Sequence, residues 1–287
     1  MKTNVVLSVN VSQNFIQING INNMIHLNNV SYKDYEGSIL KSLYCGDFKV
    51  LKYTNSLNIL IEFVETGFRK ICQTKEIKTG SILDKSLPSV FNVGVLGDKY
   101  ATKYKLPNGR YRNFKEYETW SGFLERCYSE RCQIKNTTYR GCTVSENFKS
   151  YTYFHEWCSK QVGFENQEWN LDKDILVKGN KIYSEETCCF VPPEINSLFT
   201  KTDKLRGKYP IGVYYRKDTN KFVAQVNRNN IKGCQDYLGA YDCPNEAFLV
   251  YKEAKEVFIK QVAEKWKERI DPRVYDALMN YQVEITD

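Results

Sequence analysis

The chain has 287 residues, 42% of them hydrophobic and 14% aromatic, with a formal net charge of +7 and ten cysteines. That length suits two domains, or three small ones, with ordinary buried cores. A membrane-spanning helix is excluded, because no window approaches the roughly 18 uninterrupted apolar residues that one needs.

Between Lys201 and Gln235, six Lys and three Arg stand against two Asp, so this stretch carries the whole net excess. Such a local excess attracts a polyanion; a solvated basic face is the plain alternative. The cysteines form no C-x-x-C pair, so no structural zinc is expected, although Cys127, Cys132, Cys142 and Cys158 leave one four-cysteine set open. The opening "MKTNVVLSVNVSQNF" has Asn and Ser inside its apolar runs and is not read as a secretory signal. Free thiols used as small core residues fit a reducing compartment, so a cytoplasmic protein is expected.

Residues 1–98 read as β. Phe48 and Val50, then Ile59, Ile61 and Phe63, recur at period two, with "TNSLN" and "ETG" as turns. Short strands joined by tight turns point to a small SH3-like barrel. Residues 99–114, with scattered Pro, Gly and basic residues, read as a linker. In "FKEYETWSGFLERCYSE", Tyr117, Trp120, Phe123 or Leu124, and Cys127 share one face of a helix. A second amphipathic helix follows, marked by Phe154, Trp157, Cys158 and Gln161. "WNLDKDILVKGNKIYSEETCCFVPPEIN" then reads as strand, turn, strand and helix, with Pro192-Pro193 opening the helix. Residues 115–200 thus form a central module and residues 201–287 a last domain. In that domain, two strands flank "RKDTNK", "DYLGAYD" is a third, and a long helix starts near Pro244. The expected class is α+β, ending in a three-stranded antiparallel sheet packed on one long helix.

Alternation sorts the sheet into two faces. Val213, Tyr215, Phe222, Ala224, Val226 and Leu238 are expected to meet the helix through Ala247, Val250 or Tyr251, Ala254 and Val257 or Phe258. The other face then carries Tyr214, Arg216, Val223, Gln225, Asn227, Gln235 and Tyr237, with Lys217 and Lys221 at the turn. These residue types read double-stranded DNA: Arg takes both acceptors of a guanine edge, and Gln or Asn pairs with adenine. Lys201, Lys204, Arg206 and Lys208 would hold phosphates. The stretch "GVYYRKDTNKFVAQVN … YLGAYDCPNEAFLVYKEAKE" resembles the APETALA2-type (ethylene-response-factor) DNA-binding domain over about 55 residues. The resemblance implies base or phosphate contacts for Arg216, Gln225, Asn227 and Tyr237. Tyr214 stands where that family usually has Arg, so the family's target sequence does not carry over.

The central module contains the parts of a metal-dependent nuclease. Asp172 on the first strand and Asn196 on the last helix can supply two ligands to a divalent cation, with Asp174 as a possible further one. The segments "YETWSGFLERCYS", "YRGCTVSENFKSYTYFHEW" and "LDKDILVKGNKIYSEETCCFVPPEIN" together resemble the HNH endonucleases of phages and mobile introns over roughly residues 117–199. That resemblance implies a ββα-metal core, Mg²⁺ or Mn²⁺ as cofactor, and cleavage of one or both DNA strands. It assigns the catalytic positions to Asp172, Lys173 and Asn196. Lys173 stands where well-studied members carry the general-base His, and Thr187 replaces a central Asn. His155 on its helix reads as structural or surface, and Cys188 and Cys189 as core.

Two functions remain open. The first is a site-preferring endonuclease in which the C-terminal sheet selects DNA and the central module cuts it. The second is a sequence-specific DNA-binding protein, repressor or blocker, with a lapsed nuclease core. The missing His favours the second, and the retained Asp172 and Asn196 favour the first.

Overall fold

The computed structural model describes residues 7–10, 15–18, 21–26, 35–199, 208–227, 235–285 and 287. The chain forms two compact units, Met1–Tyr100 with Ser150–Thr152, and Ala101–Lys149 with Tyr153–Asp287. Lys201, Lys204 and Arg206 lie outside the described residues.

In the first unit, β1 (Leu7–Asn10), β2 (Phe15–Ile18) and β3 (Ile21–His26) form an antiparallel meander. A second sheet runs in chain order through β4 (Ile39–Lys41), β5 (Asp47–Asn55), β6 (Asn58–Phe63) and β7 (Arg69–Cys72). The period-two residues behave as alternation dictates. Phe48 pairs with Phe63 and Val50 with Ile61 across the ladder, and all four are buried. Burying each such side chain contributes about 1.5–3 kcal/mol. The sheet does not close into the expected barrel. Its edges, β4 and β7, have three and four residues and do not pair with each other. Closure needs staggered partners on every strand. Here the core is completed instead by Tyr35, by Ile77 on α1 (Thr74–Thr79) and by Ile82. β8 (Pro88–Val90) and β9 (Gly94–Val95) form a small hairpin.

The second unit opens with a hairpin, β10 (Lys103–Lys105) and β11 (Tyr111–Asn113), inside the stretch expected to be a linker. α2 (Lys115–Tyr128) buries Trp120, Phe123, Leu124 and Cys127, the face expected from helical spacing. Trp120 Nε1 donates to the Phe148 carbonyl at 2.8 Å, and the Phe123 ring lies 5.1 Å from both Phe154 and Tyr183. α3 (Glu130–Lys135), β12 (Thr143–Val144) and α4 (Tyr151–Cys158) follow, with Tyr151 and Thr152 counted in the first unit. β13 (Asn170–Asp172) and β15 (Cys189–Val191) pair antiparallel, while β14 (Ile182–Tyr183) pairs in parallel with β12. α5 (Pro193–Ser197) starts directly after β15, with Pro193 in its first turn.

The remaining strands, β16 (Val213–Arg216), β17 (Lys221–Val226) and β18 (Asp236–Tyr241), form an antiparallel sheet covered by α6 (Pro244–Trp266). α7 (Pro272–Met279) is capped by Asp271, whose side chain accepts the Arg273 backbone N–H. Ala247, Phe248, Tyr251, Ile259, Val262 and Ala263 are the buried residues of α6; of the pair Val257 or Phe258 expected on that face, Val257 is exposed and Phe258 half-buried. Among the described residues, no helix is long and apolar enough to cross a membrane.

Candidate active site and nucleic-acid interface

β13 ends at Asp172, opposite Cys189 on β15, and β15 runs through Pro192-Pro193 into α5. This strand-loop-strand-helix path brings Asp172, Lys173, Asp174 and Asn196 to the lining of one cleft of about 410 Å³. Asp172 Oδ1 accepts the backbone N–H groups of Asp174 and Ile175 at 2.7 and 2.8 Å, a side-chain cap that turns the chain out of the strand. Burial pushes the Asp172 carboxyl above its ordinary value, and those two hydrogen bonds offset only part of the rise.

Lys173 follows Asp172, at the position that the HNH resemblance would give to a base. Its side chain is 6% exposed, and Nζ donates to Asp174 Oδ1 and Oδ2, both at 2.7 Å, and to the Asn180 carbonyl at 2.8 Å. An ammonium has three protons, and these contacts engage them with Asp174 and Asn180 of the loop. Asn180 returns the contact by donating Nδ2–H to the Lys173 carbonyl at 2.8 Å. The pair therefore fastens the loop between β13 and β14. Asp174 is not a strand partner of Asp172: the strand has ended, so alternation no longer applies, and its carboxylate lies on Lys173.

The fit to a divalent cation rests on Asp172 and Asn196. With Oδ1 committed to two N–H groups, Asp172 Oδ2 is the oxygen left to meet a cation in the cleft. A poorly solvated carboxylate and an amide lining one cleft are the donor types for an ion that is held by few protein ligands and completes its shell with water and phosphate. Among the described residues, no three His, Cys, Asp or Glu side chains gather as a denser metal cluster. His155 lies on α4, 3.8 Å from Glu116, and does not line the cleft.

Two cations that the sequence singled out for no role, Lys115 and Arg126, also line the cleft. Arg126 donates Nε–H to Tyr183 Oη at 3.1 Å, and its guanidinium lies 5.6 Å from the ring centres of Tyr139 and Tyr183. Lys115 Nζ donates to the carbonyls of Phe164 and Asn166, and burial lowers its pKa. Arg126 follows the apolar helix stripe directly, in "LERCY"; an arginine beside a fully buried face was the available signal. Trp169 forms a wall and packs on Gly163, where an added Cβ would fall 2.1 Å from Trp169 Cε3. Trp169 also meets Trp266 edge to face at 5.8 Å. Glu194 on α5 binds Lys265 and accepts Trp266 Nε1–H at 2.7 Å, which ties the helix carrying Asn196 to the end of α6.

The sheet departs from strict alternation at its centre: Val223, expected on the open face with Tyr214 and Arg216, is fully buried, as is its neighbour Ala224. Tyr214 pairs with Val223, Arg216 with Lys221, and Gln225 with Tyr237. Tyr214 and Tyr237 are 40% and 63% exposed, Arg216 and Lys217 lie at the surface, and Gln225 and Asn227 are half-buried. The face is less free of acids than the sequence suggests. Arg216 Nε contacts both Asp218 oxygens at 3.1 and 3.2 Å, and Lys221 binds Asp242 at 2.6 Å. These exposed pairs are weak in water. Leu238 departs from the expected pattern. A bulge between Ala224 and Gln225 places Gly239 opposite Ala224, and Leu238 falls out of the pairing. The bulge is what keeps Tyr237 beside Gln225.

Burial pushes the thiols of Cys127 and Cys188 up to about 12, in keeping with packing roles. No family model matches the chain, and neither does any curated protein or solved structure.

Proposed function

We propose that the chain is a site-preferring, divalent-metal-dependent DNA endonuclease of the HNH type, with an APETALA2-like sheet as its DNA reader. Double-stranded DNA is the partner, and the setting is the cytoplasm of a bacterial host in the manner of phage-borne homing enzymes. One observation carries this reading: Asp172 and Asn196, distant in sequence, line a single cleft together with Lys115 and Arg126. Asp172 and Asn196 would hold Mg²⁺ or Mn²⁺, and the ion, when bound, would supply neutralisation of charge on the scissile phosphate and activation of a water. Arg126, braced by two tyrosine rings, faces the phosphate oxygens. Lys173 keeps the loop in place and takes no proton. Arg216, Lys217, Gln225, Asn227, Tyr214 and Tyr237 select the site, and Lys221 contacts the backbone.

A DNA-binding protein with a lapsed core is the second reading. It is favoured by the engagement of Lys173 with Asp174 and Asn180, which leaves no base in the position that the family uses. Incubating supercoiled DNA with Mg²⁺ or Mn²⁺ separates the two. Nicked or linear product from wild type, absent with Asp172→Asn, supports the enzyme. Tight binding with intact supercoils at every metal concentration supports the lapsed form. Asn at 172 keeps the oxygen that caps residues 174 and 175, so this variant retains the loop.

A further inference from the structure

We infer that the β10–β11 ribbon is a second duplex-DNA contact, one that grips phosphates beside the cleft while the sheet reads bases. The inference rests on the reading of this chain as a protein of duplex DNA. From Lys99 to Lys115 the sequence has six Lys and Arg and no Asp or Glu. The structure turns part of that run into a built element. Lys103, Tyr104 and Lys105 pair with Asn113, Arg112 and Tyr111, and all six residues are exposed. The tip is fixed: Gly109 sits at φ +81°, Leu106 N–H donates to the Arg110 carbonyl at 2.7 Å, and Asn108 Oδ1 accepts the Arg110 N–H at 3.1 Å.

The pairing register distributes the charge. Lys103 and Lys105 share a face with Tyr111, while Arg112 lies on the opposite face with Tyr104. A solvated decoration needs no such arrangement. A ribbon inserted in a groove meets a phosphate backbone on each side, and a two-stranded ribbon has the width of the major groove. Its anchorage points the same way. The Tyr104 ring packs 4.9 Å from Phe114, and the next residue, Lys115, begins α2 and lines the Asp172 cleft. The ribbon therefore extends from the rim of the candidate catalytic site, where flanking phosphates would lie.

The test is a salt series on the full chain with a labelled duplex, between roughly 50 and 200 mM salt. In one variant Lys103, Lys105, Arg110 and Arg112 all become Gln; in a second, each is replaced by the other basic residue. Each lost phosphate contact flattens the slope of log K against log salt by about 0.9, so the Gln variant should be shallower by about 3.6. Affinity should fall alike on every sequence, and the charge-preserving variant should keep the wild-type slope. An unchanged slope in the Gln variant, with wild type binding normally, overturns the ribbon contact and leaves the parent reading standing. Loss of slope in the charge-preserving variant also overturns it. Wild type that ignores duplex DNA, or prefers single-stranded RNA, overturns both.

Discussion

Replacing Lys173 by Met separates a structural lysine from a chemical one. Met keeps most of the apolar stem in a site that is 6% exposed and removes the ammonium. Three hydrogen bonds disappear, two to Asp174 and one to the Asn180 carbonyl, along with a weak contact to the Tyr183 ring at 5.7 Å. Asp174 is 49% exposed, so its carboxylate regains water and the ion pair accounts for at most about 1 kcal/mol. A charged hydrogen bond to a carbonyl contributes about 1.5–3 kcal/mol. Removing the cost of burying the ammonium offsets part of this, which leaves a net loss of about 2 kcal/mol. Urea unfolding followed by tryptophan fluorescence measures it, because Trp120, Trp157, Trp169 and Trp266 all belong to the second unit. The midpoint should move, and cleavage should fall only as far as the folded fraction falls. Stability unchanged within about 0.5 kcal/mol, with cleavage down by the roughly 10²–10⁴ typical of a lost base, would refute the structural role.

Asp172→Asn should raise the melting temperature at neutral pH. Burial lifts the Asp172 carboxyl above its ordinary value, so the folded state binds this proton more tightly than the unfolded chain. The residue therefore lowers stability once pH exceeds the raised value, and the advantage of Asn should vanish as pH falls below the ordinary carboxylate range. Mg²⁺ should stabilise wild type, by about 1.4 kcal/mol at ten times its dissociation constant, and leave Asp172→Asn unmoved in thermal melts. Gly163→Ala meets the Trp169 ring at φ +85°, and its predicted loss of about 3 kcal/mol is read from the same urea titration. Glu194→Gln should cost about 1 kcal/mol by loosening Lys265 and Trp266. Burial alone would raise the Glu194 carboxyl, but hydrogen bonds from Lys265 and Trp266 outweigh it and hold the value below normal. Its contribution is thus present above the ordinary glutamate range and lost as pH falls through the depressed value, which a pH series of melts records.

The legible parts of the sequence were those governed by a local period. Helical spacing gave the buried face of α2, and alternation gave the exposure of Tyr214 and Arg216 and the burial of Ala224 and Val226, but not the burial of Val223 or the pairing of Gln225 with Tyr237. Features that depend on a partner elsewhere were not legible. Whether β4 and β7 meet is decided by their length and by what fills the core end, and residues 39–41 and 69–72 do not encode that alone. The displacement of Leu238 needs a bulge that alternation cannot show. Lys173 looked like a replaced base because its acceptors, Asp174 and Asn180, converge only when the loop folds. α7 carries a local signal: Asp271-Pro272 is a cap followed by a first-turn proline.

The central claim is that the exposed side of β16, β17 and β18 lies along a DNA duplex. Selecting duplexes from a random pool with wild type, then footprinting Arg216→Ala with Gln225→Ala on the selected sequence, tests it most directly. The account predicts an enriched site whose protection weakens by about 1–3 kcal/mol for each good base contact removed, with non-specific binding retained. An enriched site bound and protected equally well by the double variant would contradict it.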